Sequence, residues 1–483
     1  MSFNWRELHF LWLSLLIFLI GSLIPNEYLG LLIALSFAVY TWLYPKNAMI
    51  ILLAYIPLRP ILIELNPGLK LIGDAIIFVA LLRVLWSTRK DWKSWFKLNV
   101  FEWAFIVYCI FGAVIGFVNN VSPVALVFQL RAFLLLFLLI YIVRRLDITK
   151  DDIRKFLWSS FAVAAIICIH GLIEKVSIRT VLLPQTWIDL PLSSTNQIRI
   201  YGLIGNPNAL GLLMMFMFLI TLYLKSFFEK GRTAKVLNIG LVLFFGVWIL
   251  TYSRGGLIVL TVATLVYLLL SRNWRFLKKL AIIAVSAILF VVVPAELGVK
   301  IAETTDFGQK QRENQTMYDT VKGDEGIKGR FNPDNIIKFN QNVGRLEFVK
   351  KGLEIFKDHP ITGTGFATFG DSATQSYLSP IYEDYDIEYV DFYSDNQYIQ
   401  VIVQTGAIGV ILFAIFLLGM LFDMWKRKEQ GDFLKVMVGI VVASYFAGLV
   451  YNIWEEDIFT LYFFIFLGFV LNGKSKDLML QVK

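Results

Sequence analysis

Tyr393-Ser394-Asp395-Asn396-Gln397-Tyr398 marks the point where this chain turns from a long polar stretch back to apolar residues. The stretch before it, from Gly298 to Asp395, interrupts a sequence that otherwise reads as hydrophobic segments joined by short loops. One large water-exposed insert, holding Arg345 and ending in an Asp-Asn pair at a helix mouth, is where the chemistry is expected. Chemistry so placed suits a substrate with one greasy and one polar end.

Composition sets the solvent. Hydrophobic residues make up 57%, aromatic residues 15%, and the mean hydropathy is +0.65, values beyond those of a soluble domain of this length. A bilayer core of about 30 Å requires about 20 mostly apolar residues per helix. Segments of that kind begin near Leu8, Tyr28, Ala48, Leu71, Phe101, Val124, Phe156, Ala209, Leu237, Gly255, Leu280, Asn396, Val436 and Phe459. The fold class is therefore all-α, a polytopic transmembrane bundle of about fourteen spans, because lipid leaves no water to satisfy an open backbone. The expected organisation is a bundle over residues 1–297, a loop domain with an amphipathic helix over 298–395, and a second bundle with a tail over 396–483. Met1 to Glu7 and the apolar run behind them lack a small-residue cleavage site, so the first segment reads as a retained span.

Basic residues orient the bundle. Arg89 to Lys93, Arg144 to Lys155, Lys225 to Lys235, Arg272 to Lys279 and Lys426 to Lys428 alternate with basic-poor turns such as Pro25-Asn26-Glu27, Val118 to Pro123 and Trp454-Glu455-Glu456-Asp457. The positive-inside rule then puts both termini in the cytoplasm and the large loop outside, in a cytoplasmic membrane. The loop carries a net charge of −6 and the remainder +14, within a chain total of +8. The basic balance thus reflects topology and anionic lipid rather than nucleic acid.

Cys109 and Cys168 fall inside apolar segments, and neither belongs to a C-x-x-C pair. His9, His170 and His359 form no His-carboxylate motif, so no metal site is expected. Gly363-Thr364-Gly365-Phe366-Ala367-Thr368-Phe369-Gly370 has a misplaced third glycine and no strand–helix unit around it. It reads as a structural turn, and no cofactor is expected.

Charges inside apolar segments are costly and usually functional. Arg59, Asp74, Arg131 and Arg254 all thread to one outer depth, which points to a shared cavity with cationic walls, although snorkelling accounts for any one of them alone. In Gly205-Asn206-Pro207-Asn208, Asn208 is positioned to cap a helix that Pro207 begins; Asn206 and Asn208 are either that helix start alone or part of a binding wall. Arg199 lies near the same positive helix end and suits an anion. Gly344 to Phe356 reads as an amphipathic helix with Leu346, Val349, Leu353 and Phe356 as its apolar stripe, ended by His359-Pro360. Tyr382 to Tyr393 mixes carboxylates with aromatics, a pattern suited to sugar rings and equally to a solvated acidic loop.

These pieces resemble the O-antigen ligase and Wzy-type polysaccharide polymerase superfamily. The resemblance rests on Arg199 with Gly205-Asn206-Pro207-Asn208, on Thr251-Tyr252-Ser253-Arg254, on Arg345 followed by Pro360-Ile361-Thr362-Gly363-Thr364-Gly365, and on Asp395-Asn396-Gln397-Tyr398 with Gly406-Ala407-Ile408-Gly409. It implies a saccharide on an undecaprenyl diphosphate carrier, passed at the outer leaflet to an acceptor hydroxyl without nucleotide sugar or metal. It also implies a growing polysaccharide as partner, with a flippase and a chain-length regulator nearby. The family's ligases carry His where this chain has Asp395.

Such a transfer needs fixed guanidinium groups for the departing diphosphate, and Arg254 and Arg345 are the first candidates, Arg199 the next, with Arg59 and Arg131 as outer-wall support. Asp395 is the candidate base, or a helix N-cap, and Asn396 would orient a sugar. Two other classes compete. A glycosyltransferase using a polyprenyl monophosphate sugar normally shows an acidic motif in the first external loop, which here is only Pro25-Asn26-Glu27-Tyr28. A transporter or flippase of lipid-linked sugars is usually built from repeated halves, whereas this chain is lopsided.

Overall fold

The computed structural model describes residues 5–190, 192, 194–228, 230–306, 308–309, 345–387 and 393–473. Among them are helices and turns and no strand. In chain order the main helices are α1 (His9–Leu23), α2 (Glu27–Leu43), α3 (Pro45–Leu65), α4 (Ile72–Ser87), α5 (Val100–Val118), α6 (Pro123–Arg145), α7 (Lys150–Val176) and α8 (Pro207–Ser226). They continue as α9 (Arg232–Leu250), α10 (Arg254–Ser271), α11 (Arg275–Glu303), α12 (Arg345–Asp358), α13 (Gln397–Arg427), α14 (Asp432–Ala447) and α15 (Asp457–Leu471).

Every apolar segment of the sequence forms a helix, and among the described residues ten helices are long and apolar enough to cross a membrane. The others, α2, α4, α14 and α15, have 17, 16, 16 and 15 residues. At 1.5 Å per residue these rise about 23–26 Å, short of a core of about 30 Å. The chain is a multi-pass helical membrane protein. The boundary expected at 297/298 falls inside α11, which runs on to Glu303 through a π-helical stretch at Ile288–Val292.

Starts follow ordinary capping chemistry. Asn26 accepts from the Leu29 amide at the start of α2, and Thr149 and Asp152 make a reciprocal capping box on α7. Proline occupies the first turn of α3, α6 and α8, where its missing N–H costs nothing.

Helix α15 is apolar all round and buried from Ile458 to Val470, as a helix at the centre of a bundle must be. It packs along α6, while α13 packs along α5 and α10 along α14. Aromatic edges lock this centre: Phe464 meets Phe137 and Trp454 meets Phe416 and Phe463, with ring centroids 5.1–5.5 Å apart. Because α15 is central, the turn that leads into it, residues 448–456, lies in the middle of one end of the bundle.

Helix α13 is broken. Gly406 sits at φ 55°, ψ −159°, which interrupts the backbone ladder between two helical halves. The orphaned groups are taken up by the segment Pro360 to Gly365. Ala407 N donates to Pro360 O at 2.9 Å, Ile408 N to Ile361 O at 3.2 Å, Thr364 N to Val403 O at 3.0 Å and Gly365 N to Gln404 O at 2.7 Å. A broken helix at membrane depth is tolerated only where protein or water satisfies it, and here the loop does so. The glycine-rich run is accordingly a wedge of turns, with Gly365 at φ 96° pressed so close to Gly116 of α5 that an added Cβ would lie 2.1 Å from its nitrogen.

Candidate functional site

Beyond the break, the first half of α13 turns a polar face inward. Gln397, Gln400 and Gln404 recur at helical spacing and are all fully buried. Gln404 donates through Nε2 to Phe369 O at 3.1 Å and, in a short contact, to Asp371. Asp371 also accepts from the amides of Ala367 (2.9 Å) and Thr374 (2.8 Å). Gln400 donates in a second short contact to Glu455, whose Oε1 also accepts from Gln129 Nε2 of α6 at 2.9 Å. The other oxygen of Glu455 accepts from Ser372 N (3.2 Å) and Oγ (2.7 Å). Burial and the neighbouring Glu455 carboxylate push Asp371 up to about 7, and burial pushes Glu455 up as well.

The turn bearing Asp395 is anchored to the same assembly. Ser394 N donates to Gly370 O at 3.0 Å, and Asn452 Nδ2 donates to that oxygen at 3.1 Å. Ser394 Oγ donates to Asn452 Oδ1 at 3.2 Å. Asp395 is half-buried and held at φ 45°. The helix cap is its neighbour: Asn396 Oδ1 accepts from the Tyr398 and Ile399 amides, each at 3.1 Å, and its Nδ2 donates to Leu449 O at 3.2 Å. The expectation that Asp395 itself caps α13 is therefore corrected: the cap is Asn396, whose amide bonds to the backbone at both atoms.

Residues 448–456 bind this turn to the one bearing Arg254. Gln397 N donates to Gly448 O at 2.8 Å. Tyr451 shares a hydrogen bond of 3.2 Å with Ser253, and its ring lies over Gly255. Ser253 caps α10 by accepting from Gly256 N at 3.2 Å, which leaves Arg254 exposed on the first turn. Asp395 and Arg254, remote in sequence, thus flank one shared turn.

The other expected residues divide. Arg199 is 6% exposed, and its guanidinium donates to Thr251 O (2.7 Å), Asn208 Oδ1 (2.6 Å) and Asn196 Oδ1 (3.4 Å). It stitches the start of α8 to the α9–α10 turn. Asn206, not Asn208, caps α8, accepting from Asn208 N at 2.8 Å and Ala209 N at 3.2 Å. Arg131 forms a bidentate pair with Asp74, at 2.8 Å from Nε and 2.7 Å from Nη2. Arg59 lies 3.6 Å from Asp457. The expected cationic wall is in these two places a pair of neutralised ion pairs, because each arginine meets an acid from a neighbouring helix.

Helix α12 contains Arg345 as its first residue, but the side chains of Arg345 and Leu346 lie outside the described residues, as do 310–344 and 388–392. Its buried face is Gly352 and Ile355, with Phe348 and Val349 beside them, packed on Ile399 and Val403 of α13. Leu353 is 45% exposed. The expected stripe is thus rotated, since the helix settles where Gly352 lets it approach α13 closely.

Sequence reading missed Glu455, Asp371, Gln129, Asn452 and the glutamine face. It also missed a second polar group in which Glu174 pairs with Arg179 at 2.8 Å, and Lys175 with Glu296 at 3.0 Å. The three glutamines at helical spacing within an apolar run were a readable signal. Glu455 was visible only as one acid of a basic-poor turn. Among the described residues, no three His, Cys, Asp or Glu side chains converge as a metal-binding group.

Residues 239–414 match the family model described as O-antigen ligase. That region takes in Arg254, Arg345, Asp395 and the break in α13. Over that stretch this multi-pass helical membrane protein is similar to the O-antigen ligase family. Curated proteins gave no match to the chain.

Proposed function

We propose that this protein moves glycan repeat units from an undecaprenyl diphosphate carrier to a saccharide hydroxyl at the outer face of the cytoplasmic membrane, as a polysaccharide polymerase. The observation that carries the reading is the joining of the Arg254 and Asp395 turns through residues 448–456, within and beside the region that matches the ligase family. The acceptor oxygen bonds to the anomeric carbon as the bond from that carbon to the carrier phosphate oxygen breaks. Its proton passes to Asp395, and the electron pair leaves with the diphosphate. Guanidinium groups at Arg254 and Arg345 stabilise that charge where screening is weak. Arg199 and the two ion pairs act behind this first rank, holding the turns in register. The alternation of basic segments supports an outward-facing site with cytoplasmic termini.

A ligase acting on a different acceptor is the second reading, favoured by the description of the matched family. Asp395, in place of the His that the ligases carry, favours polymerisation. Purified protein incubated with lipid-linked repeat units separates the readings. A ladder of products supports the polymerase, and single transfer to an added acceptor supports the ligase. Movement of intact lipid-linked sugar across vesicles without new glycosidic bonds would overturn both in favour of a transporter.

A further inference from the structure

We infer that Glu455 is a positioning residue, the buried peg that sets the distance between the Asp395 turn and the Arg254 turn. This rests on the reading of those two residues given above. Glu455 is 8% exposed and accepts from four donors on three elements: Gln129 on α6, Gln400 on α13, and Ser372 N and Oγ on the wedge loop. Two residues before Ser372, Gly370 takes a left-handed conformation at φ 58°, and its carbonyl accepts from both Ser394 and Asn452. An added Cβ at Gly370 would lie 2.7 Å from that of Ser394, so the loop and the Asp395 turn move as one body. On the other side, Glu455 N donates to Asn452 O at 3.0 Å, within the turn whose Tyr451 bonds Ser253 beside Arg254. Glu455 therefore grips the loop that holds one turn while belonging to the turn that holds the other. Its four donors occupy the carboxylate from the protein side, which leaves it the work of holding rather than of taking a substrate proton.

The test compares Glu455→Ala, Glu455→Gln and Ser372→Ala in the full-length protein with lipid-linked repeat units. Glu455→Ala is expected to lower kcat by about 10²-fold, the effect of misplacing reacting groups by about 1 Å, with KM for the lipid-linked substrate nearly unchanged. Glu455→Gln keeps the shape and one acceptor oxygen but turns its amide nitrogen toward two of the four donors, and is expected to recover part of that loss; Ser372→Ala is expected to show a smaller fall in the same direction. Wild-type kcat in Glu455→Ala overturns the inference. A Glu455→Gln variant as inactive as Glu455→Ala also overturns it, since a residue that transfers a proton is not rescued by an amide. If Glu455→Ala does not fold, Ser372→Ala decides, and a wild-type kcat there overturns the inference. Asp395→Asn in the same assay keeps the two claims apart. Loss with Asp395→Asn beside wild-type Glu455→Ala defeats the positioning role alone, whereas a silent Asp395→Asn defeats the underlying reading.

Discussion

Gln129 and Glu455 stand 326 positions apart in the chain, yet the Gln129 amide donates to the Glu455 carboxylate at 2.9 Å in a fully buried contact. That bond ties α6 to the turn in front of the central helix, and through Ser372 and Gln400 it gathers the wedge loop and the broken helix to the same point. Among the described residues, the turn of nine residues, 448–456, meets the end of the large insert at this polar end of the bundle.

The guanidinium groups give the first expectation. Arg254→Ala or Arg345→Ala abolishes polymer while the protein inserts at normal levels. Lysine rescues poorly, because an ammonium cannot grip two phosphate oxygens in the planar fork of arginine. The measurement is product ladder length in membranes matched for protein content. Full activity in both alanine variants would remove the diphosphate clamp.

Arg131 and Asp74 are expected to behave as a structural pair. Their side chains are 31% and 21% exposed. Either alanine variant should lose about 1–3 kcal/mol of stability, and the double variant less than the sum, by a coupling of about 1 kcal/mol. Thermal unfolding in detergent reads the cycle. A raised KM in Arg131→Ala with unaltered stability would return Arg131 to the substrate wall.

Acidity gives a signed expectation. An ordinary Asp titrates near about 4, and Asp371 is pushed up to about 7 by burial and by Glu455. Between those values the folded protein keeps a proton that the unfolded chain has released, so stability falls as pH rises through the window and levels off above it. The melting temperature in detergent should decline from pH 5 to 7.5, and Asp371→Asn should flatten the slope even if it lowers the starting value. A melting temperature that climbs over this range in the wild type would contradict the assignment.

Much of the fold was legible because apolar length is a strong signal, and all the hydrophobic segments became helices. What sequence could not supply was the choice between adjacent residues. Asn206 caps α8 where Asn208 was expected, and Asn396 caps α13 where Asp395 was a candidate. A cap is chosen by a shift of a single residue in where the backbone leaves its extended conformation. The stripe of α12 was rotated for a similar reason, since Gly352 offers closer approach than any larger residue. Arg59, Arg131 and Asp74 were correctly noticed as charges in apolar segments, but their pairing depends on which helices become neighbours. The importance of Glu455 was hidden because its partners lie on α6, α13 and the loop.

The wedge offers a mechanical test. Gly365→Ala places a Cβ against the Gly116 backbone at φ 96°, a conformation that non-glycine residues rarely adopt. Neither backbone can yield without breaking the bonds that satisfy the split helix. The loss should be about 3 kcal/mol or more, read as a lower melting temperature and reduced insertion. A variant with wild-type stability would show that the loop does not hold the break closed.

The most direct test of the proposed site is the turnover of Asp395→Asn. Asn396 supplies the helix cap, so the substitution leaves the start of α13 intact. Asparagine also accepts a left-handed backbone at least as readily as aspartate, so φ 45° is no obstacle. The variant should therefore keep the helical start of α13 and insert normally while losing about 10²–10⁴-fold in the rate of glycan transfer, the usual effect of removing a general base. A wild-type ladder from Asp395→Asn, formed at a wild-type rate, would contradict the role of Asp395 in taking the acceptor proton.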